Sequence, residues 1–106
     1  MTEITIYTTK EGWRPFKEWV DYLDITTKSR IWCRIQRMQF GNFGDHKLLG
    51  DGVYELRMFF GPGYRVYYAK DGKDIILLLC GGDKTSQKQD IKDAKNNWID
   101  YQRRKK

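Results

Sequence analysis

The sequence predicts a small α+β domain, with helices packed mainly on one face of a twisted and mainly antiparallel sheet. Short β-branched and alternating apolar runs indicate strands, and apolar residues at helical spacing indicate helices. The 106 residues suit one core, so we predict one domain over residues 1–106. Hydrophobic residues make up 40% of the chain, which is enough to bury such a core. The predicted order of elements is β-α-α-β-β-β-α.

The first half of the chain is predicted to contain one strand and two helices. Residues 3–8 are rich in β-branched residues, which favours a strand. Residues 15–23 begin with proline and carry apolar residues at helical spacing, which predicts a short helix. Thr26 or Thr27 is predicted to cap a second helix, which ends near Phe40.

The second half is predicted to form a three-stranded meander after a glycine-rich loop at 41–52. The predicted strands are residues 53–60, 64–69 and 75–80. Residues 61–63 and Asp71-Gly72 form turns that are too short for crossovers, so neighbouring strands must be antiparallel.

A C-terminal helix is predicted to follow the third strand of the meander. Ser86 and Gln89 have the spacing of a capping box. The apolar stripe of this helix is Ile91, Ala94, Trp98 and Tyr101. Residues 103–106 form a basic tail that we predict to be frayed.

The formal net charge of +6 favours an anionic partner, such as nucleic acid or an acidic protein. The longest apolar run, residues 75–80, is far shorter than the roughly 18–20 residues of a membrane span, so no membrane partner is predicted. The N-terminus lacks the pattern of a secretory signal, and both cysteines lie in apolar stretches, which predicts a cytoplasmic protein with reduced thiols.

Basic residues of the predicted meander are the first candidates for a phosphate site. Arg57 and Arg65 fall on adjacent antiparallel strands, on the face opposite the core-facing residues, so their guanidinium groups can converge on one phosphate. Lys84 leaves the third strand at the same end of the sheet. The alternative is an exposed charged face that only keeps the protein soluble.

His46 is the candidate for proton transfer near neutral pH, because its ordinary pKa of about 6.5 suits that role. The alternative is a solvated loop histidine. Glu55 and Asp90 are weaker acid or base candidates. With one histidine and two isolated cysteines, the sequence predicts no metal site and no cofactor.

Aromatic and basic side chains suggest further contacts to a single-stranded nucleic acid. Tyr67 and Phe59 share the predicted faces of the two meander arginines and can stack on a base, or can pack beneath a helix instead. Basic candidates for phosphate contacts are Arg30, Arg34, Arg37 and Lys47. The alternative for the three arginines is a solvated helix face.

Several of these stretches together resemble the RelE/ParE toxin superfamily, and most of all its HigB-like, phage-derived addiction-module branch. The resemblance lies in the meander segments GDGVYELR at 50–57, GPGYRVYY at 61–68 and LCGGDK at 79–84. The segments PFKEWV at 15–20 and GNFGDHK at 41–47 resemble the same branch.

The resemblance implies a RelE-like fold and a toxin that is silenced by a helix-turn-helix antitoxin. It also implies cleavage of messenger RNA, assisted by the ribosome, through attack of a 2′-hydroxyl on the adjacent phosphate. Arg65 falls on a scissile-phosphate position, and Arg57 and Lys84 fall on two further basic positions. Glu55 stands where RelE has a basic residue, and Asp90 lies near the position of the RelE catalytic tyrosine.

Two alternatives stay open at this point. ParE-like members of the superfamily inhibit DNA gyrase, which implies a toxin that acts by protein contact. The acidic Glu55 and the missing tyrosine leave room for a non-catalytic module that binds nucleic acid or docks an antitoxin.

Overall fold

The computed structural model describes residues 2–105, which form a five-stranded sheet with helices on both faces. The elements are β1 (Glu3–Ile6), α1 (Pro15–Tyr22), α2 (Ile25–Met38), β2 (His46–Gly50), β3 (Val53–Arg57), β4 (Arg65–Asp71), β5 (Ile75–Gly82) and α3 (Gln87–Lys105), the last preceded by a 3-10 turn at Lys84–Ser86. The strand order is β1-β5-β4-β3-β2, in which only the β1–β5 pair is parallel. The predicted α+β class with a mainly antiparallel sheet is confirmed.

Helices cover both faces of the sheet, so the prediction that they pack mainly on one face is wrong. On one face, Phe16 of α1 and Ile31 of α2 pack against strand residues that include Leu56. On the other face, Ala94 and Trp98 of α3 pack against β4 and β5. The cause is the continuous apolar run of β5, in which every residue from 76 to 80 is buried. Because these side chains alternate between the two faces of the sheet, helices must pack on both faces to shield them from water.

The predicted loop at 41–52 contains an edge strand, β2, which pairs with β3. The first three residues of β2 are exposed, and so they lack the apolar alternation that identifies a half-buried strand. The sequence signal for this hairpin is Asp51-Gly52, which the sequence analysis did not use. These two residues have φ angles of 56° and 81° and form the tight turn between β2 and β3.

Caps at two helix starts also differ from the prediction. The N-cap of α2 is Asp24, whose carboxylate accepts a hydrogen bond from the main-chain N–H of Thr27 at 3.1 Å. At the entry to α3, the Ser86 hydroxyl donates to Asp90 instead of taking part in a capping box with Gln89. The basic tail is helical through Lys105, while Lys106 lies outside the described residues.

Gly81 and Gly82 at the end of β5 allow helices to approach the sheet from both sides. A Cβ atom at Gly81 would lie 2.3 Å from the Trp19 ring of α1. A Cβ atom at Gly82 would lie 1.9 Å from the Asp90 carboxylate of α3. Among the helices of residues 2–105, none has both the length and the apolar character needed to span a bilayer.

Candidate functional site

Arg57 of β3 and Arg65 of β4 are directly paired across the two strands, and Arg65 is in turn paired with Gly82 of β5. Residues that face each other across an antiparallel pair project from the same side of the sheet. Both side chains therefore lie on the face that α3 covers. The structure thus brings together the two arginines that sequence analysis placed on one face.

A buried carboxylate lies between these two arginines. Glu55 is 1% exposed, and its Oε2 atom is 3.5 Å from Nε of Arg65. Its Oε1 atom is 3.9 Å from Nε of Arg57, and the Gln87 side chain donates a 2.9 Å hydrogen bond to Oε2. Glu55 therefore neutralises part of the positive charge and fixes where the guanidinium groups lie.

Asp45 is a second carboxylate at this site, and sequence analysis did not single it out. Its Oδ2 atom is 3.2 Å from Nε of Arg57, and Nη2 of Arg57 donates to Oδ1 at 3.3 Å. Side chains of both residues are about one-third exposed (35% and 34%). A carboxylate held by an arginine fork occupies the position that a phosphate group would take. No pattern around Asp45 marks this contact, because the loop brings it to β3 only in the folded chain.

Lys84 adds a third cation beside Arg65. Nη1 of Arg65 donates to the Gly63 carbonyl at 2.9 Å. Lys84 and Arg65 both lie next to Gly63. A Cβ atom added to that glycine would be 3.5 Å from Nη1 of Arg65 and 3.8 Å from Cβ of Lys84. Lys84 itself is exposed. The cluster of three basic residues and two carboxylates thus keeps one net positive charge on an accessible rim.

Asp90 packs over Gly82, on the same face as the arginines. The Ser86 hydroxyl donates a 2.5 Å hydrogen bond to Oδ2 of Asp90. Burial raises the pKa of Asp90, and the nearby carboxylates of Asp93 and Asp83 act in the same direction, whereas the Ser86 hydrogen bond opposes them. A carboxyl group that retains its proton more readily than usual is suited to proton transfer.

The structure buries Tyr67 completely, so its ring has no free surface on which an RNA base can stack. Its hydroxyl has no hydrogen-bond partner within residues 2–105. Burial raises the pKa of Tyr67, with further contributions from Glu55 and Asp90. Phe59, by contrast, is 81% exposed and keeps a free ring. Of the two aromatic candidates, only Phe59 therefore has an exposed ring.

His46 lies apart from the arginine cluster. It is paired with Leu56, whose side chain packs in the core on the α1 and α2 side of the sheet. The His46 ring packs edge-on against the Phe43 ring, with 5.5 Å between the ring centroids. The Nδ1 atom of His46 is 3.0 Å from the carbonyl oxygen of Gly44. Lys47 is exposed and is paired with Glu55, so it shares the face of the cluster.

The three arginines of α2 have different environments. Nη1 of Arg34 donates to the Arg57 carbonyl at 3.1 Å, and Nη2 donates to the Phe43 carbonyl at 3.4 Å. The Arg30 guanidinium lies over the Phe60 ring, 3.8 Å from its centroid. Arg37 is exposed, and within residues 2–105 its side chain makes no hydrogen bond or ion pair. The Arg34 guanidinium is therefore engaged by the fold, whereas those of Arg30 and Arg37 make no hydrogen bond within the described residues.

Residues 18–98 match the sequence profile of the family described as phage-derived protein Gp49-like (DUF891). The chain belongs to this Gp49-like family. The family is of the RelE and addiction-module toxin type, and a toxin of this type implies an antitoxin partner. Arg57, Arg65 and Lys84 all lie within the matched residues.

A Haemophilus influenzae protein described as uncharacterized is 49% identical to this chain over 81 residues. The alignment covers 76% of this chain and 82% of that relative. Among residues 2–105, no group of three or more histidine, cysteine, aspartate or glutamate side chains is arranged to hold a metal ion. On the α3 face of this Gp49-like chain, Arg57 and Arg65 lie beside the Glu55 carboxylate.

Proposed function

We propose that this Gp49-like chain is the toxin of a type II toxin–antitoxin pair, and that it cleaves messenger RNA with assistance from the ribosome. The observation that carries the proposal is the direct opposition of Arg57 and Arg65 on one sheet face, with Lys84 beside them. Two guanidinium forks held in place before the substrate arrives, with an exposed ammonium group beside them, suit a phosphate that gains negative charge.

The proposed reaction is attack by the RNA 2′-hydroxyl on the adjacent phosphorus. The 2′-hydroxyl gives up its proton to a base, a bond forms between the 2′-oxygen and phosphorus, the bond from phosphorus to the 5′-oxygen breaks, and that 5′-oxygen takes up a proton. Arg57 and Arg65 stabilise the charge on the phosphate oxygens, while Glu55 holds them in place. For proton transfer, Asp90 is better placed than His46, because it packs on Gly82 on the arginine face.

Transcript-end mapping after induction of the chain in bacteria tests this function. We expect new RNA ends within coding regions, and the variant Arg65→Ala should reduce them by about 10²- to 10³-fold. Because Arg65 also contacts buried Glu55, the exposed Lys84→Ala provides a second variant that should keep the fold. Arg14→Ala, an exposed arginine at the start of α1, is the matched control. Growth arrest with a DNA-damage response and uncut transcripts would refute the nuclease and favour gyrase inhibition.

The contacts of Glu55 and Asp45 favour a second candidate, a non-catalytic module that binds RNA or docks an antitoxin. Both carboxylates neutralise the arginines that a nuclease would use. A protein of this kind binds RNA but neither arrests growth nor produces new transcript ends. The same induction experiment therefore separates the two candidates.

A further inference from the structure

The outward face of α2 is a strongly basic surface. The 14 residues of α2 include no aspartate or glutamate and four basic residues, Lys28, Arg30, Arg34 and Arg37. A groove of about 380 Å³ follows this face, lined by Ser29, Arg30, Cys33, Arg34, Arg37 and Phe60. A second groove, lined by Cys33, Gln36, Arg37 and Phe40, continues it toward the end of the helix. We call the two together the α2 groove.

The walls of the α2 groove are mainly apolar even though its rim is cationic. Phe40 is 76% exposed at one end, and Phe60 forms part of the wall beneath the Arg30 guanidinium at the other. Exposed apolar side chains that form one continuous surface with basic residues are typical of a protein-binding site.

We propose that the α2 groove binds an acidic amphipathic helix of a partner protein, and that this partner is the antitoxin. The proposal rests on the toxin function proposed above. The groove residues of α2 recur at helical spacing from 29 to 37, a length of about 12 Å along the axis, and Phe40 lies just beyond the end of the helix. An acidic helix laid along it would pair its carboxylates with Arg30 and Arg37 and would cover Phe40.

RNA fits this groove less well than an acidic helix does. One of its guanidinium groups already has partners in the fold, since Arg34 donates to two main-chain carbonyls. The mainly apolar walls also offer little to a phosphate backbone.

The α2 groove and the arginine cluster are on different sides of the sheet. Residues of α2 pack against the face that contains Leu56, whereas Arg57 and Arg65 project toward α3. Partner binding and action on RNA therefore depend on different side chains and are separable by substitution.

Fluorescence anisotropy with the purified full chain tests the proposal. The probe is a labelled synthetic helical peptide of about three turns, with glutamates on one face and leucines on the other. The double variant R30E/R37E should weaken peptide binding by about tenfold or more. The control K88E/K92E makes the same change of charge on exposed residues of α3, and should bind as the wild type does. The variant Phe40→Ser tests the apolar contact without changing the charge.

Equal binding of the peptide to wild type, R30E/R37E and Phe40→Ser would overturn the proposal. It would also be overturned if a single-stranded RNA oligonucleotide, and not the peptide, lost affinity in R30E/R37E. Circular dichroism and thermal unfolding confirm that each variant is folded. Because peptide binding is measured without RNA cleavage, a negative result here is distinct from a negative result in transcript-end mapping.

Discussion

The Arg34 side chain donates a 3.1 Å hydrogen bond to the main-chain carbonyl of Arg57, and thereby joins α2 to the end of β3. The same guanidinium donates to the Phe43 carbonyl and lies so close to Gly44 that a Cβ atom there would be 2.6 Å from Nη2. Arg34 thus positions the loop that carries Asp45 to the arginine cluster.

Replacing Arg34 with lysine should destabilise the fold, because an ammonium group cannot make both hydrogen bonds in the geometry of the fork. We expect the free energy of unfolding to fall by about 1–3 kcal/mol, measured by urea denaturation. Arg37→Lys is the matched control, since Arg37 is exposed and should tolerate the change. Equal stability of the two variants would show that the Arg34 hydrogen bonds contribute little.

Removing the Glu55 carboxylate should also destabilise the chain. In Glu55→Ala, the Gln87 amide loses its hydrogen-bond partner, and Arg65 loses the carboxylate 3.5 Å away. The expected loss in the free energy of unfolding is about 1–3 kcal/mol, the usual cost of leaving a buried polar group unsatisfied. Glu11→Ala removes an exposed glutamate and should leave the urea midpoint unchanged.

Neutralising Asp45 should strengthen binding of single-stranded RNA, because this carboxylate competes with phosphate for the Arg57 guanidinium. We expect a gain of about twofold to fivefold in Asp45→Asn, since ion pairs this exposed contribute at most about 1 kcal/mol. Asp51→Asn is the control in an affinity titration, because it makes the same charge change and asparagine tolerates the positive φ found there. Unchanged or weaker binding by Asp45→Asn would argue against phosphate binding at Arg57.

The raised pKa of Asp90 predicts a pH dependence of stability with a definite sign. The folded chain holds this proton more tightly than the unfolded chain, so the contribution of Asp90 to stability falls as the pH rises above about 3.9. Asp90→Asn should remove this part of the decline in urea unfolding followed from about pH 4 to about pH 7.

The variant Ser86→Ala provides a second test of the raised pKa of Asp90. It removes the hydrogen bond that lowers the pKa of Asp90, so the decline in stability should extend to higher pH. Asp74→Asn changes an exposed carboxylate between β4 and β5 and should leave the pH profile as it is. If Asp90→Asn and wild type have parallel profiles, folding does not raise the pKa of Asp90.

Periodicity and turn signals predicted most of the fold, and the reason lies in where side chains are buried. Residues of β3 alternate between the two faces, so the positions of Leu56 and Arg57 were readable along the chain. The edge strand β2 was missed because its first residues are exposed and carry no burial pattern. The pairing of β2 with β3 places His46 on the sheet face opposite the arginines. This placement could not be predicted from the sequence, because residues 41–52 were assigned to a loop.

The sequence by itself determined the α+β class, the three-stranded meander and the shared sheet face of Arg57 and Arg65, because these depend on local alternation and on short turns. Only the tertiary structure decided that α3 covers the arginine face, that Glu55 and Asp45 neutralise the arginines and that Tyr67 is buried. These contacts join residues that are distant along the chain, such as Glu55 and Gln87. Such pairs form when helices dock on the sheet, and no local pattern of residues specifies them.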